Sequence, residues 1–258
     1  AEGEQLSNIH RHAIKLPCDD LVSAVGCALT LAKSRHHSKA KSKINMTFVE
    51  NLQAVTQRIH HAAAAAGRDA ASVQLLAVSK TIDAARIRTA ALTGQRAFGE
   101  NYVQEALPKI AALADLALEW HHIGPIQSNK TAEIAAHFDW AHGVDRLKIA
   151  QRLAAQRPAT LPALKVCVQV NVSGEASKSG CAPDEALALC RAVAALPGLQ
   201  LIGLMALPAP MESGHDPRAG FEQLRTLFDA ARASGLPLST LSMGMSDDLE
   251  AAIAEGST

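Results

Sequence analysis

Lys80 stands at the end of "LLAVSKT", where four apolar residues, Leu75 to Val78, read as a buried strand and Ser79, Lys80 and Thr81 lead out of it. An ammonium group delivered to the tip of a core strand invites one kind of chemistry. A lysine walled by apolar surface loses part of its preference for charge, and the neutral amine is a nucleophile toward aldehydes and ketones. The plainer reading is a strand exit, with the stem on apolar surface and the amine in water. A second group lies far along the chain. "SMGMSDD", Ser242 to Asp248, closes the last strand pattern and opens a helical one. Gly244 lets the backbone approach an anion, Ser242 and Ser246 offer hydroxyl donors, and the first amides of a helix lack partners. Alone, this is a helix cap built on Ser246 with Asp247 and Asp248 behind it. Together with Lys80 it is a cup for the tail of a phosphorylated aldehyde.

Such a pairing needs strands that end on one side. From Met46 onward a helical stretch with Phe48, Leu52, Val55 and Ile59 on one face is followed by seven strand–helix units. The strands are expected near 73–78, 96–98, 118–123, 140–144, 164–172, 199–205 and 240–245. Strict alternation implies parallel strands with right-handed crossovers. The fold class is therefore α/β, a parallel (β/α)8-type TIM barrel that lacks its eighth strand. A doubly wound open sheet shares the alternation. The barrel is preferred because barrel phosphate sites are built by the loops after strands seven and eight, where "SMGMSDD" falls.

The chain is 258 residues long with 25 Lys plus Arg against 25 Asp plus Glu, so its charge balance does not point to nucleic acid or to an anionic membrane. No apolar run reaches the roughly 18 residues of a membrane span. Cys18, Cys27, Cys167, Cys181 and Cys190 show no metal-type spacing, which suits reduced thiols and a cytoplasmic protein. Residues 1–45 differ from the rest: no Phe, Trp or Tyr, and seven Lys or Arg against four Asp or Glu. Their apolar stretch, Leu21 to Ala32, has Asp19 and Asp20 where a signal sequence is positive, so the signal reading is rejected. The expectation is an extension, 1–45, with little fixed structure, ahead of a barrel over 46–258.

Six segments in order sharpen this: "LLAVSKT", "FGENYVQE" (98–105), "WHHIGPIQSNK" (120–130), "NVSGEASKSG" (171–180), "GLMALP" (203–208) and "LSMGMSDDLEAAI" (241–253). Together they resemble the pyridoxal phosphate homeostasis protein family, a barrel like the N-terminal domain of alanine racemase. The resemblance implies that Lys80 holds pyridoxal 5′-phosphate as a Schiff base, that Ser242, Gly244 and Ser246 seat its phosphate, and that Asn101 lies near it. It also implies a family strand beyond Thr258, whose absence predicts an incomplete barrel with exposed edges on its first and last strands. Where the family has an aromatic, His122 stands beside His121. Neighbours on a strand face opposite sides, so one inward and one outward histidine is expected, with no metal site.

The cofactor can stabilise a carbanion, but a racemase also needs an acid or base on the face opposite the lysine. The one tyrosine, Tyr102, reads as a packing or rim residue. The function expected is therefore a non-catalytic holder of pyridoxal 5′-phosphate that buffers it or delivers it to apo-enzymes, with no catalytic residue assigned. A racemase or decarboxylase using the same cofactor is the alternative, and a cofactor-free Schiff-base aldolase the next.

Overall fold

The computed structural model describes residues 13–17, 48–175, 178–208 and 217–258. One parallel sheet in the order β1-β2-β3-β4-β5-β6-β7-β8 is surrounded by helices. Its strands are β1 (Ala13–Pro17), β2 (Gln74–Val78), β3 (Ala97–Glu100), β4 (Glu119–His122), β5 (Trp140–Val144), β6 (Leu164–Gln169), β7 (Leu199–Met205) and β8 (Thr240–Ser242). The main helices are α1 (Phe48–Ala65), α2 (Ala84–Leu92), α3 (Val103–Ala112), α4 (Thr131–His137), α5 (Leu147–Gln156), α6 (Ala186–Ala194), α7 (Pro217–Ala233) and α8 (Leu249–Ala254).

Local signals explain these limits. The Asp83 side chain accepts from the Arg86 amide at 2.8 Å to open α2, and Gly94, with φ +105°, follows its end. The apolar face of α1, including Val55 and Ile59, joins Ala77 of β2, Phe98 of β3 and the inner faces of the other helices in one core. That core covers the outside of the sheet. Alternate residues face the other way: Leu76, Val78, Ala97 and Ile123 form one interior cluster, and Trp140, Cys167, Ile202 and Met205 a second. Both faces of the sheet are thus buried, as parallel strands require.

The seven strand–helix units fall where the alternation puts them, and β2 to β8 are those seven strands. The gap expected beside the first of them is where β1 lies. β1 pairs in parallel with β2, from Ala13 opposite Gln74 to Pro17 opposite Val78, and also runs close to β8. A parallel ladder needs only backbone donors and acceptors, so the edge of β2 accepts a strand whose sequence bears no relation to the barrel repeat. The apolar stretch 21–32 lies outside the described residues. Among the described residues, no helix is long and apolar enough to cross a membrane.

Candidate functional site

Because all strands are parallel, Lys80 past the end of β2, Asn101 past β3 and the Ser242–Ser246 turn past β8 share one rim. Only β1 separates β2 from β8 in the curled sheet. Lys80 is exposed, and among the described residues its amine makes no hydrogen bond or ion pair. The apolar enclosure expected from its strand is not found. β2 ends at Val78 and the chain turns, with Thr81 at φ +65°, a left-handed conformation that a branched residue adopts at a cost of about 1–2 kcal/mol. The Thr81 amide donates to Glu105 Oε2 on α3 at 3.3 Å, and its hydroxyl donates to the Lys80 carbonyl at 2.6 Å. Glu105 therefore holds the turn that carries Lys80, a role that nothing in its sequence position announces.

Beneath that turn is a buried ion pair. Glu100 is inaccessible to solvent; its Oε1 accepts from the Ser79 hydroxyl at 2.5 Å and from Lys109 Nζ at 2.8 Å. Lys109 also donates to the Ser79 carbonyl at 2.8 Å, so α3 is pinned to the end of β2. Burial raises the Glu100 pKa, and the bonds from Lys109 and Ser79 oppose the rise. Asn101 follows at once. A Cβ on Gly124 would stand 2.4 Å from the Asn101 carbonyl oxygen, so only glycine lets the Asn101 backbone settle over the end of β4.

At the other end of the rim, Gly244 has φ +95° and a Cβ there would come within 2.6 Å of the Ala252 methyl. The turn is thus folded tightly against α8. That helix begins at Leu249, with Asp248 rather than Ser246 in the capping position and no side-chain cap bond. Asp248 Oδ1 instead accepts from the Met245 amide at 2.5 Å. The plain helix-cap reading of Ser246 is thereby removed, and so is the idea that helix amides open directly onto the turn. The Ser246 carbonyl accepts from Arg58 Nη2 of α1 at 3.1 Å, and Arg58 forks onto Glu250 through two bonds of 3.0 Å. The exposed amine at β2, the Gly244 turn at β8 and Asn101 between Glu100 and α3 fit a phosphorylated aldehyde in kind and in placement on the rim.

The adjacent histidines point to opposite faces, as the strand period requires. His122 faces the helices, edge-on to Phe138, and burial lowers its pKa from 6.5 to about 4. His121 faces the interior, stacked on Trp140 with ring centroids 5.1 Å apart, and burial pushes its pKa down. Its Nδ1 lies 2.9 Å from Nε2 of His142, whose Nδ1 lies 2.7 Å from the Ser242 hydroxyl. At the far end, His121 Nε2 is 3.6 Å from Glu119, which also accepts from Trp140 Nε1 at 2.6 Å and Lys165 Nζ at 2.9 Å. Burial would raise the Glu119 pKa, but these surrounding donors outweigh it and hold the carboxyl well below its usual range. Sequence reasoning missed this chain. Its signal is a polar residue at an inward-facing position of an apolar strand: Glu119 and His121 on β4, His142 on β5 and Ser242 on β8. Among the described residues, no group of three or more His, Cys, Asp or Glu side chains is placed to hold a metal.

This barrel, with its rim lysine and glycine turn, is of the class defined by the family model "Alanine racemase, N-terminal domain", which matches residues 51–257. A pyridoxal phosphate homeostasis protein of Pseudomonas aeruginosa is 63% identical over 82% of this chain and 91% of its own length. One from Escherichia coli K12 is 50% identical over 81% and 90%. The chain belongs to the pyridoxal phosphate homeostasis protein family. Among solved structures, PipY of Synechococcus elongatus PCC7942 with PLP bound is 38% identical, with a TM-score of 0.70 over 81% of this chain and 94% of that one. D-threonine aldolase of Filomicrobium marinum, 19% identical with a TM-score of 0.63 over 80% of this chain and 56% of that one, shares the fold.

Proposed function

We propose that this protein holds pyridoxal 5′-phosphate without catalysing a reaction of its own, and that it buffers the cofactor or delivers it to apo-enzymes. In this reading Lys80 is the amine that takes the aldehyde as a Schiff base. The Ser242–Ser246 turn seats the phosphate through its backbone, folded tightly by Gly244, and through the hydroxyls of Ser242 and Ser246. Asn101 lies beside the cofactor, held by the close approach that Gly124 permits. The bound cofactor supplies an electron sink able to stabilise negative charge on the α-carbon of an amino acid. This chain's own contribution is positional. Glu105 and the Glu100–Lys109 pair set the turn bearing Lys80, and Asp248 and Arg58 set the turn opposite.

The observation that carries the reading is an exposed lysine amine, with no bond among the described residues, on the same rim as a glycine turn that caps no helix. It is joined by the likeness to PipY, whose structure holds PLP. The one tyrosine, Tyr102, is 57% exposed at the start of α3, as a rim residue would be, which does not favour the racemase reading. Residence in the cytoplasm is part of the proposal, supported by Cys181 and Cys190, which are buried and form no disulfide among the described residues.

The test is borohydride reduction in the presence of pyridoxal 5′-phosphate, followed by peptide mapping. The cofactor's mass on the Lys80 peptide, lost in Lys80→Ala, is expected. Labelling elsewhere, or labelling that persists in the variant, would refute the assignment. Exchange of amino-acid α-protons in deuterated water, dependent on Lys80, would overturn the non-catalytic part.

A further inference from the structure

The chain Glu119–His121–His142–Ser242 crosses the interior of the barrel from the N-terminal end of β4 to the rim at the end of β8. His121, His142 and Ser242 are all buried. Its hydrogens can be counted. A neutral imidazole carries one N–H, and burial disfavours a second on His121. Glu119 is ionised, so His121 turns Nε2–H toward it across 3.6 Å and leaves Nδ1 bare. Nε2–H of His142 must then donate to that bare nitrogen at 2.9 Å, which leaves His142 Nδ1 bare in turn. Ser242 therefore donates its only hydrogen to His142 at 2.7 Å. In this state the Ser242 oxygen has only lone pairs to offer the turn it begins.

An anion on the turn also presents lone pairs, so the two repel. Ser242 donates to an anion only if His142 Nδ1 carries the hydrogen between them. That requires His142 Nε2 to be bare and His121 Nδ1 to be protonated. If His121 also keeps its hydrogen toward Glu119, it has become an imidazolium. Donation to the anion and contact with Glu119 are both satisfied only when one proton has been added. The surroundings suit this charge. Glu119 and Asp139 favour it, Lys165 opposes it, and the ring is stacked on the uncharged Trp140 and bonded to His142.

We propose that the Ser242–Ser246 turn takes a phosphate group together with one proton, which the His121–His142 pair receives from solvent. The inference rests on the reading above, in which that turn seats the phosphate of the cofactor. It makes His121 and His142 positioning residues: they decide whether Ser242 donates or accepts, and they couple phosphate affinity to pH. No covalent bond changes; the proton leaves buffer and joins His121, and the two hydrogen bonds His121–His142 and His142–Ser242 reverse direction while His121 Nε2–H stays toward Glu119.

The probe is pyridoxine 5′-phosphate, which has the phosphate but no aldehyde and so leaves Lys80 out of the measurement. Titration calorimetry near pH ~8, where a phosphate of second pKa ~6 is already a dianion, is run in two buffers of different ionisation enthalpy. About one proton taken up per ligand bound is expected, with affinity weakening up to about tenfold per pH unit above that point. His142→Gln should bind more weakly and lose the uptake, while any ionisation of the ligand ring is common to both proteins and cancels. Binding with no uptake, or with equal uptake in both, overturns the proposal and leaves the cofactor reading standing. No binding, together with no cofactor fixed to Lys80 by borohydride, removes both. Should His142→Gln not fold, ¹⁵N spectra of the histidine-labelled native protein decide: one ring must pass from the neutral to the imidazolium pattern when ligand is added, and unchanged rings refute the coupling.

Discussion

Replacing Lys109 with methionine isolates the electrostatics under the Lys80 turn. In the native protein one oxygen of a fully buried carboxylate, Glu100 Oε1, is held by Lys109 at 2.8 Å and Ser79 at 2.5 Å, while Oε2 has no partner among the described residues. Lys109→Met keeps the stem's apolar packing but strands that charge. Breaking one side of a buried pair typically costs ~3–5 kcal/mol, because the remaining ion is neither solvated nor matched. The loss must depend on pH, since the Glu100 pKa is already raised by burial against the bonds that lower it. A carboxyl with a folded pKa above its unfolded value binds a proton that the unfolded chain has released. Its contribution is whole below the unfolded pKa and is lost as pH rises through the folded one, by up to ~1.4 kcal/mol per unit. Removing Lys109 lifts the folded pKa further, so the gap between variant and native protein should be small near pH ~5 and approach ~3–5 kcal/mol near pH ~8. Urea unfolding reads this directly: with a slope of ~2 kcal/mol per molar, the midpoint falls by ~2 M at the higher pH and far less at the lower. Adding Glu100→Gln should recover most of the loss. Equal destabilisation at both pH values would refute the reasoning and mark Lys109 as a packing residue.

Three further outcomes follow from single contacts. His122 is buried against Phe138 with its pKa lowered to about 4 from 6.5, so the unfolded chain takes its proton first and stability falls as pH drops through that window. The full effect is about 3 kcal/mol, and His122→Phe should flatten the acid limb of the thermal stability profile; an unchanged limb would place the titration elsewhere. Gly124→Ala would set a methyl against the Asn101 carbonyl, which its Cβ would approach to 2.4 Å. Overpacking of this kind costs ~1–3 kcal/mol, and the shifted Asn101 should weaken cofactor retention relative to Gly67→Ala, which strains the backbone at φ +65° far from the rim without a steric contact. Burial pushes the thiols of Cys181 and Cys190 up to about 11 and about 12, so a thiol-specific reagent should modify them only after denaturant is added. Rapid labelling of the native protein would contradict their burial.

Much of the scaffold was legible from local pattern alone. Trp140–Val144 and Leu199–Met205 are strands over the residues that their apolar runs mark, and α2 starts behind Asp83 because a short acidic side chain satisfies the first amides. Other limits moved for tertiary reasons. The helix expected from Asp247 begins only at Leu249, because Asp248 turns its carboxylate back to the Met245 amide. The strand expected to run on to Val172 stops at Gln169, beyond which Val170 bridges to Cys181.

Lys80, the Gly244 turn and the opposite directions of His121 and His122 could be named from sequence because each depends on type and on the two-residue period of a strand. What surrounds them could not. Lys80 is exposed rather than walled in, since where a side chain lies past a strand end depends on which helix catches the turn, here α3 through Glu105. The ion pair of Glu100 with Lys109 and the chain from His121 through His142 to Ser242 join residues brought together by strand register and helix packing. Residues 13–17 joined the sheet for a reason no side-chain pattern announces, since a parallel edge is completed by backbone groups that every residue carries. Periodicity in one dimension determined which residues face inward; only the closing of the sheet on itself decided which of those inward residues meet.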